Sequence, residues 1–181
     1  QPTTQLNWQA HNSPRMQAHP DGGYAIVSMT NSLPAFKTNV MRCSANGDIV
    51  WSNHYLTAGV NSHGHDCLSY FKGKGWLLND QGSLSNDPAK LTTTLLRIEE
   101  DGSLKWNKKF TSSSPVIGWE RTIAGEQAGR IRLIANDGFV GAPLLGSLPD
   151  ANGSAECINQ TSSTTVITQQ YTHDVINASP L

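Results

Sequence analysis

The sequence predicts an all-β fold of three units, each holding four antiparallel strands. Two observations support this prediction. Charged residues make up only 15% of the chain, against about 25% in an average globular protein. Instead, 56 of the 181 residues are Ser, Thr, Asn or Gln, and 16 Gly and 9 Pro are scattered along the chain. This balance is typical of β-rich proteins with many turns and argues against a helical bundle. The second observation is an internal repeat.

The repeat is clearest between residues 38–51, TNVMRCSANGDIVW, and residues 93–106, TTLLRIEEDGSLKW, which align without a gap. The recurring pairs are Thr38 and Thr93, Arg42 and Arg97, Gly47 and Gly102, and Trp51 and Trp106. In each copy an apolar stretch runs into Asn-Gly or Asp-Gly, the dipeptides that best tolerate a type I′ hairpin turn. We therefore expect Asn46-Gly47 and Asp101-Gly102 to form two-residue hairpin tips, with both Trp side chains buried.

The repeat extends upstream, because GGYAIVS at 22–28 corresponds to KGWLLND at 74–80. A third copy is indicated by RMQAHPDGGY at 15–24 and RIRLIANDGF at 130–139, followed by a strand TTVIT at 164–168. LNW at 6–8 resembles IVW at 49–51 and LKW at 104–106, so Trp8, Trp51 and Trp106 are each predicted to open a unit. The predicted units of this single domain are 8–50, 51–105 and 106–168, with 169–181 as a tail.

Four antiparallel strands in 40–55 residues is the size of a β-propeller blade. Here the chain resembles the secreted bacterial propeller-like repeats, with HPDGGYAIVSMTNS at 19–32 and VMRCSANGDIVW at 40–51 carrying the resemblance. The resemblance implies a propeller-like fold, an extracellular or cell-surface setting, and a place in adhesion or surface proteins. It brings no catalytic motif. Arg42 and Arg97 stand where Lys is common in such repeats.

Three blades are too few to close a ring, since a propeller has at least about four. The open ends must be covered by a longer parent protein, a two-fold dimer or head-to-tail association into a filament. We expect the tail 169–181 to act as an exchanged strand, or to complete a sheet begun near residues 1–10. A tail packed on its own domain is the alternative.

One cluster has metal-ligating residue types, namely His63, His65 and Cys67 at alternate positions. On a regular strand such residues share one face, which would suit zinc or copper. The alternative is a hydrogen-bonded loop. A metal-dependent enzyme at this cluster is the least favoured function, because the sequence has neither a nucleophile elbow nor a phosphate-binding loop. The chain is therefore predicted not to be an enzyme.

Asp- and Asn-rich stretches at 79–87 and 150–152 are possible calcium loops, although neither has the EF-hand spacing. Exposed aromatic rings can bind carbohydrate, which makes a carbohydrate-binding module the alternative function. Only Trp119 has no assigned place in the repeat. The net charge of −1, without a basic block or an apolar run near 18 residues, argues against nucleic acid and membrane insertion.

Three Asn-x-Ser/Thr sequons occur at Asn152, Asn159 and Asn177, and they are candidate glycosylation sites in a secreted protein. Three cysteines permit one disulfide, for which Cys43 and Cys67 are the candidate pair, or three free thiols. The sequence therefore predicts a non-enzymatic, extracellular structural or adhesive protein that assembles into an oligomer or fibre.

Overall fold

The computed structural model describes residues 15–32, 35–111, 119–137, 143–149 and 164–168. In these ranges the regular structure is entirely β, which confirms the predicted class. The strands are β1 (Arg15–Ala18), β2 (Tyr24–Ser32), β3 (Ala35–Cys43), β4 (Ile49–Thr57), β5 (Val60–Phe71), β6 (Gly75–Leu84), β7 (Asp87–Ile98), β8 (Leu104–Thr111), β9 (Trp119–Gln127), β10 (Arg130–Asp137), β11 (Pro143–Pro149) and β12 (Thr164–Thr168). Within the described ranges no helix has the length and apolar character needed to span a membrane.

The strands form three antiparallel sheets. The first has the order β1-β2-β3-β4-β12, the second β5-β6-β7-β8, and the third β11-β10-β9. Strands that follow one another in the chain are neighbours in each sheet, apart from β12. The third sheet shows three strands in the described residues, and β9 lies against β5 and β6 of the second sheet.

The sheets are offset from the predicted units. Trp51 lies on β4 and Trp106 on β8, and each of these strands pairs with the strand before it. The Trp strands therefore close the first and second sheets rather than opening the next ones. TTVIT at 164–168 is a strand as predicted, but it pairs with β4 and extends the first sheet, not the third. Similarly, β10 is the central strand of its sheet whereas its sequence match β1 lies at an edge.

The two Asx-Gly turns are hairpins, but of a different type from the one predicted. Gly47 N–H donates to the Ser44 carbonyl and Gly102 N–H to the Glu99 carbonyl. Gly47 and Gly102 have φ of 89° and 83°, whereas Asn46 and Asp101 are not in the positive-φ region. A type I′ turn needs two consecutive positive φ angles, so each tip is a four-residue turn closed by a left-handed glycine.

Two pairs of buried residues occupy equivalent places in the first and second sheets. Arg42 donates to the carbonyl of Tyr24, and Arg97 donates to the carbonyl of Trp76. Both arginines are buried, Arg97 completely. A guanidinium on the third strand thus holds the start of the second strand in each sheet. The sequence repeat between these sheets is therefore also a repeat of contacts.

The first and second sheets pack face to face. Their shared core consists of Ala25, Val27, Val40 and Tyr55 from the first sheet and Leu68, Trp76, Leu78, Leu96 and Ile98 from the second. These residues alternate along their strands, as expected for one face of each sheet. Trp51 is partly buried against this core, and Trp106 is buried, 8% exposed. Trp8 lies outside the described residues.

Candidate functional site

A chain of polar side chains crosses the boundary between the first and second sheets. Arg42 Nη2 lies 2.5 Å from Asp21 Oδ2, and His19 Nδ1 lies 2.7 Å from Asp21 Oδ1. On its other side His19 Nε2 is 3.2 Å from Glu100 Oε2. The hydroxyl of Tyr70 donates to Glu100 Oε1 at 2.7 Å. These five residues, called the His19 cluster below, are the densest group of ionisable side chains in the described structure.

Two tight turns bring the cluster together. His19 and Asp21 lie in the β1–β2 turn, where Gly22 N–H donates to the His19 carbonyl and Gly23 N–H to Asp21 Oδ1. Glu100 lies in the β7–β8 hairpin of the other sheet. Because both turns are short and hydrogen bonded, their side chains are held at fixed positions above the shared core.

Aromatic rings form the floor of the cluster. The His19 ring centroid lies 4.6 Å from that of Tyr70 and 5.8 Å from that of Trp76. Trp76 also lies 5.5 Å from Trp51, with the rings nearly perpendicular, and 5.4 Å from Tyr70. Trp76 has no exposed surface. Rings that are packed against one another in this way serve as core, and they offer no open platform for a sugar.

A second set of contacts reinforces the boundary beside the cluster. Trp51 Nε1 donates to the Glu100 carbonyl at 2.9 Å. Asn53 Nδ2 and the hydroxyl of Tyr55 both donate to the Gly102 carbonyl, at 2.8 and 2.7 Å. Burial raises the pKa of Tyr55, so this hydroxyl keeps its proton and acts as a donor at all ordinary pH values. Alternate residues of β4 therefore grip the hairpin of the neighbouring sheet.

The electrostatics of the cluster favour an ionised Asp21. The Gly23 N–H, the His19 ring and the Arg42 guanidinium lower the pKa of Asp21 to about 2. The pKa of Tyr70 is raised, first by its loss of solvent and then by the hydrogen bond to Glu100. Each carboxylate contacts groups from two different strands or turns. The arrangement therefore joins elements of the two sheets, and its acidic and basic groups are taken up by one another.

Asp21→Asn should weaken the acid dependence of stability. The pKa of Asp21 lies below the ordinary value of 3.8 in the folded protein, so the stabilisation from its ionised form is fully present above about pH 4. It is lost as the pH falls toward 2. Urea unfolding of the wild type should show falling stability across this window, and the variant should show a smaller fall. Asp48→Asn, on an exposed hairpin tip, is the control and should keep the wild-type fall. An Asp21→Asn curve parallel to the wild type would contradict the assignment.

The predicted metal ligands His63, His65 and Cys67 lie on β5, and their side chains are outside those the structure describes. The backbone register is interrupted by two β-bulges, between Ser62 and Gly64 and between His65 and Cys67. The regular alternation that would give all three residues one face is therefore not kept. Among the described side chains no group of His, Cys, Asp and Glu forms a metal site. The metal ion itself stays a prediction.

The remaining predicted sites have varied outcomes. Cys43 is a free, buried thiol, so the disulfide with Cys67 is not formed in this structure. The calcium loop at 79–87 is wrong as a loop, because residues 79–84 continue β6 and β7 begins at Asp87. The second calcium stretch, the tail 169–181 and the sequons at Asn152, Asn159 and Asn177 lie outside the described residues.

Sequence reasoning missed the His19 cluster. His19 and Glu100 are far apart in the chain, and neither belongs to a recognised motif. The one available signal was the Asp-Gly-Gly turn beside His19, which was interpreted only as a turn. The chain matches no protein-family model, and comparison with curated proteins and with solved structures gives no match either.

Proposed function

We propose that the chain is a non-enzymatic structural or adhesive module of a secreted or cell-surface protein, built from propeller-like repeats and able to assemble with copies of itself. The observation that carries this proposal is the repeated contact set. Two consecutive sheets place an arginine of the third strand on the carbonyl that opens the second strand. Conservation of a buried structural contact between repeats is what a modular scaffold requires.

The His19 cluster supports a structural role. The imidazole of His19 has a carboxylate at each ring nitrogen, and those carboxylates also contact Arg42 and Tyr70. Groups engaged in this way fix the orientation of one sheet on the next. A general base, by contrast, needs its free nitrogen directed at a substrate proton.

The pairing of β12 with β4 supports self-assembly. The edge of β4 accepts a strand that lies far away in the sequence, with Thr164 opposite Thr57 and Thr168 opposite Asn53. An edge that accepts a distant strand of its own chain can accept the same strand from a second copy, as in domain swapping. Low charge and a neutral polar surface would suit dense association of this kind.

Removing the C-terminal strand should abolish assembly. Light scattering over a range of concentrations should give a mass above that of the monomer for the full chain. A chain ending at 168 keeps β12 and should show weaker assembly, because it lacks the predicted exchanged tail. A chain ending at 163 also lacks β12 and should be monomeric. Three identical mass profiles, or a monomeric full chain, would contradict the proposal.

A further inference from the structure

The face of the first sheet that points away from the second sheet has a close counterpart in the structure. It carries Met16, Ala18, Tyr24, Ile26, Met41, Cys43 and Ile49, and it is called the outer face below. Its cross-strand pairs are the same as those on the face of the second sheet that packs against the first. Tyr24 pairs with Cys43 as Trp76 pairs with Ile98, and both sheets have a bulge at the next pair.

The two equivalent faces differ in burial. On the second sheet Trp76, Leu78, Leu96 and Ile98 have no exposed surface. On the outer face the matching residues Tyr24, Ile26 and Met41 are only half buried, and Met16 is 70% exposed. Leu68, the counterpart of Met16, is 7% exposed. The same apolar pattern is thus sealed in one sheet and partly open in the other.

The seal on the second sheet comes from a strand carrying a tryptophan. The Trp51 indole lies over Gly102, where an added Cβ would be 2.8 Å from the ring, and it donates to the Glu100 carbonyl. On the outer face the equivalent positions are Gly47 and the Ala45 carbonyl. An added Cβ at Gly47 would have no described atom within 4 Å. The open position has the size and polarity that fit an indole.

We infer that residues 6–10 of this chain, LNWQA, form the strand that covers the outer face, with Trp8 over Gly47. The inference rests on the repeat organisation proposed above. LNW has the apolar-x-Trp pattern of IVW on β4 and LKW on β8. The other repeat tryptophans are already in use, since Trp51 packs on Trp76 and Trp106 is buried.

The connection is long enough. Seven residues separate Trp8 from Arg15, the first residue of β1. An extended segment of that length spans about 23 Å, whereas packed sheets lie about 10 Å apart. The indole N–H of Trp8 would donate to the Ala45 carbonyl, as Trp51 does to Glu100. The inferred contact therefore continues the established interface by one further layer.

Nuclear Overhauser effects in the full-length protein test this contact directly. Cross-peaks between the Trp8 indole and the Gly47 α-protons are expected, and those between Trp51 and Gly102 are the internal reference. Absence of the Trp8 peaks with the reference present would overturn this inference alone. Absence of the reference would overturn the repeat stacking on which the proposed function rests. Trp8 peaks that appear only between labelled and unlabelled chains would assign the site to a second copy and overturn the assignment to the same chain.

The three methionines provide an independent test by peroxide oxidation and mass spectrometry. Met16 and Met41 belong to the outer face, while Met29 is on the opposite face of the same sheet. Trp8→Ala should raise the oxidation rates of Met16 and Met41 several-fold and leave Met29 unchanged. Gln9→Ala is the control and should match the wild type. Unchanged rates at Met16 and Met41, or an equal rise at Met29, would overturn the inference.

Discussion

Replacing Trp76 by alanine is expected to lower the free energy of unfolding by about 3–5 kcal/mol, the range for a large buried aromatic residue. Trp76 is the largest fully buried side chain and contacts the rings of His19, Trp51 and Tyr70. Its removal would leave a cavity at the boundary between two sheets, where few groups can move to fill it. Urea denaturation followed by circular dichroism would measure the loss.

Trp76→Phe should cost much less, about 1–2 kcal/mol, because it keeps a ring in the same place. It also removes an indole N–H that is buried and has no hydrogen-bond partner in the described structure. A buried donor of this kind destabilises the fold, so its loss offsets part of the smaller ring. Equal costs for the two variants would contradict a role for Trp76 in packing.

Gly75→Ala is expected to destabilise the protein by about 2–5 kcal/mol, through two separate effects. Gly75 has a φ of 88°, which costs an L-residue about 1–2 kcal/mol. An added Cβ would also lie 2.2 Å from the carbonyl oxygen of Ile98. That oxygen belongs to the backbone of β7 and accepts a hydrogen bond from Arg97. The clash therefore requires a strand to move, at a further cost of about 1–3 kcal/mol.

Gly73→Ala is the matched control for this prediction. Gly73 has a φ of 68° in the same turn, but an added Cβ there would meet no atom within 4 Å. Only the conformational cost of about 1–2 kcal/mol is expected. The difference between the two variants, measured by thermal and urea unfolding, isolates the clash. Equal losses would show that the close approach of Gly75 to β7 does not limit stability.

The local elements were predictable from the sequence because their causes are local. A glycine after Asn or Asp, with apolar residues on either side, specified both hairpins. The precise turn type was not predictable from the dipeptide alone. The chain satisfies Ser44 and Glu99 by placing only the glycine in the left-handed region, and several turn types share that requirement.

Pairing between distant segments was not predictable. Trp51 was assigned to the start of a unit because repeats in a sequence have no marked origin, whereas hydrogen bonds place its strand at the end of a sheet. The His19 cluster needs His19 and Glu100 to meet across two sheets, and no periodicity encodes that meeting. The bulges beside His63 and His65 likewise break an alternation that the sequence alone suggests.

The pairing of β12 with β4 also affects the order of folding. The hairpins of the first sheet involve neighbours in sequence and can form as soon as residues 15–57 leave the ribosome. The fifth strand must wait until Thr164 to Thr168 have been synthesised, and its pairing closes a loop that contains both other sheets. Closing so long a loop is slow relative to hairpin formation. The first sheet to begin folding is thus among the last to be completed, and until then the edge of β4 is open to any other strand.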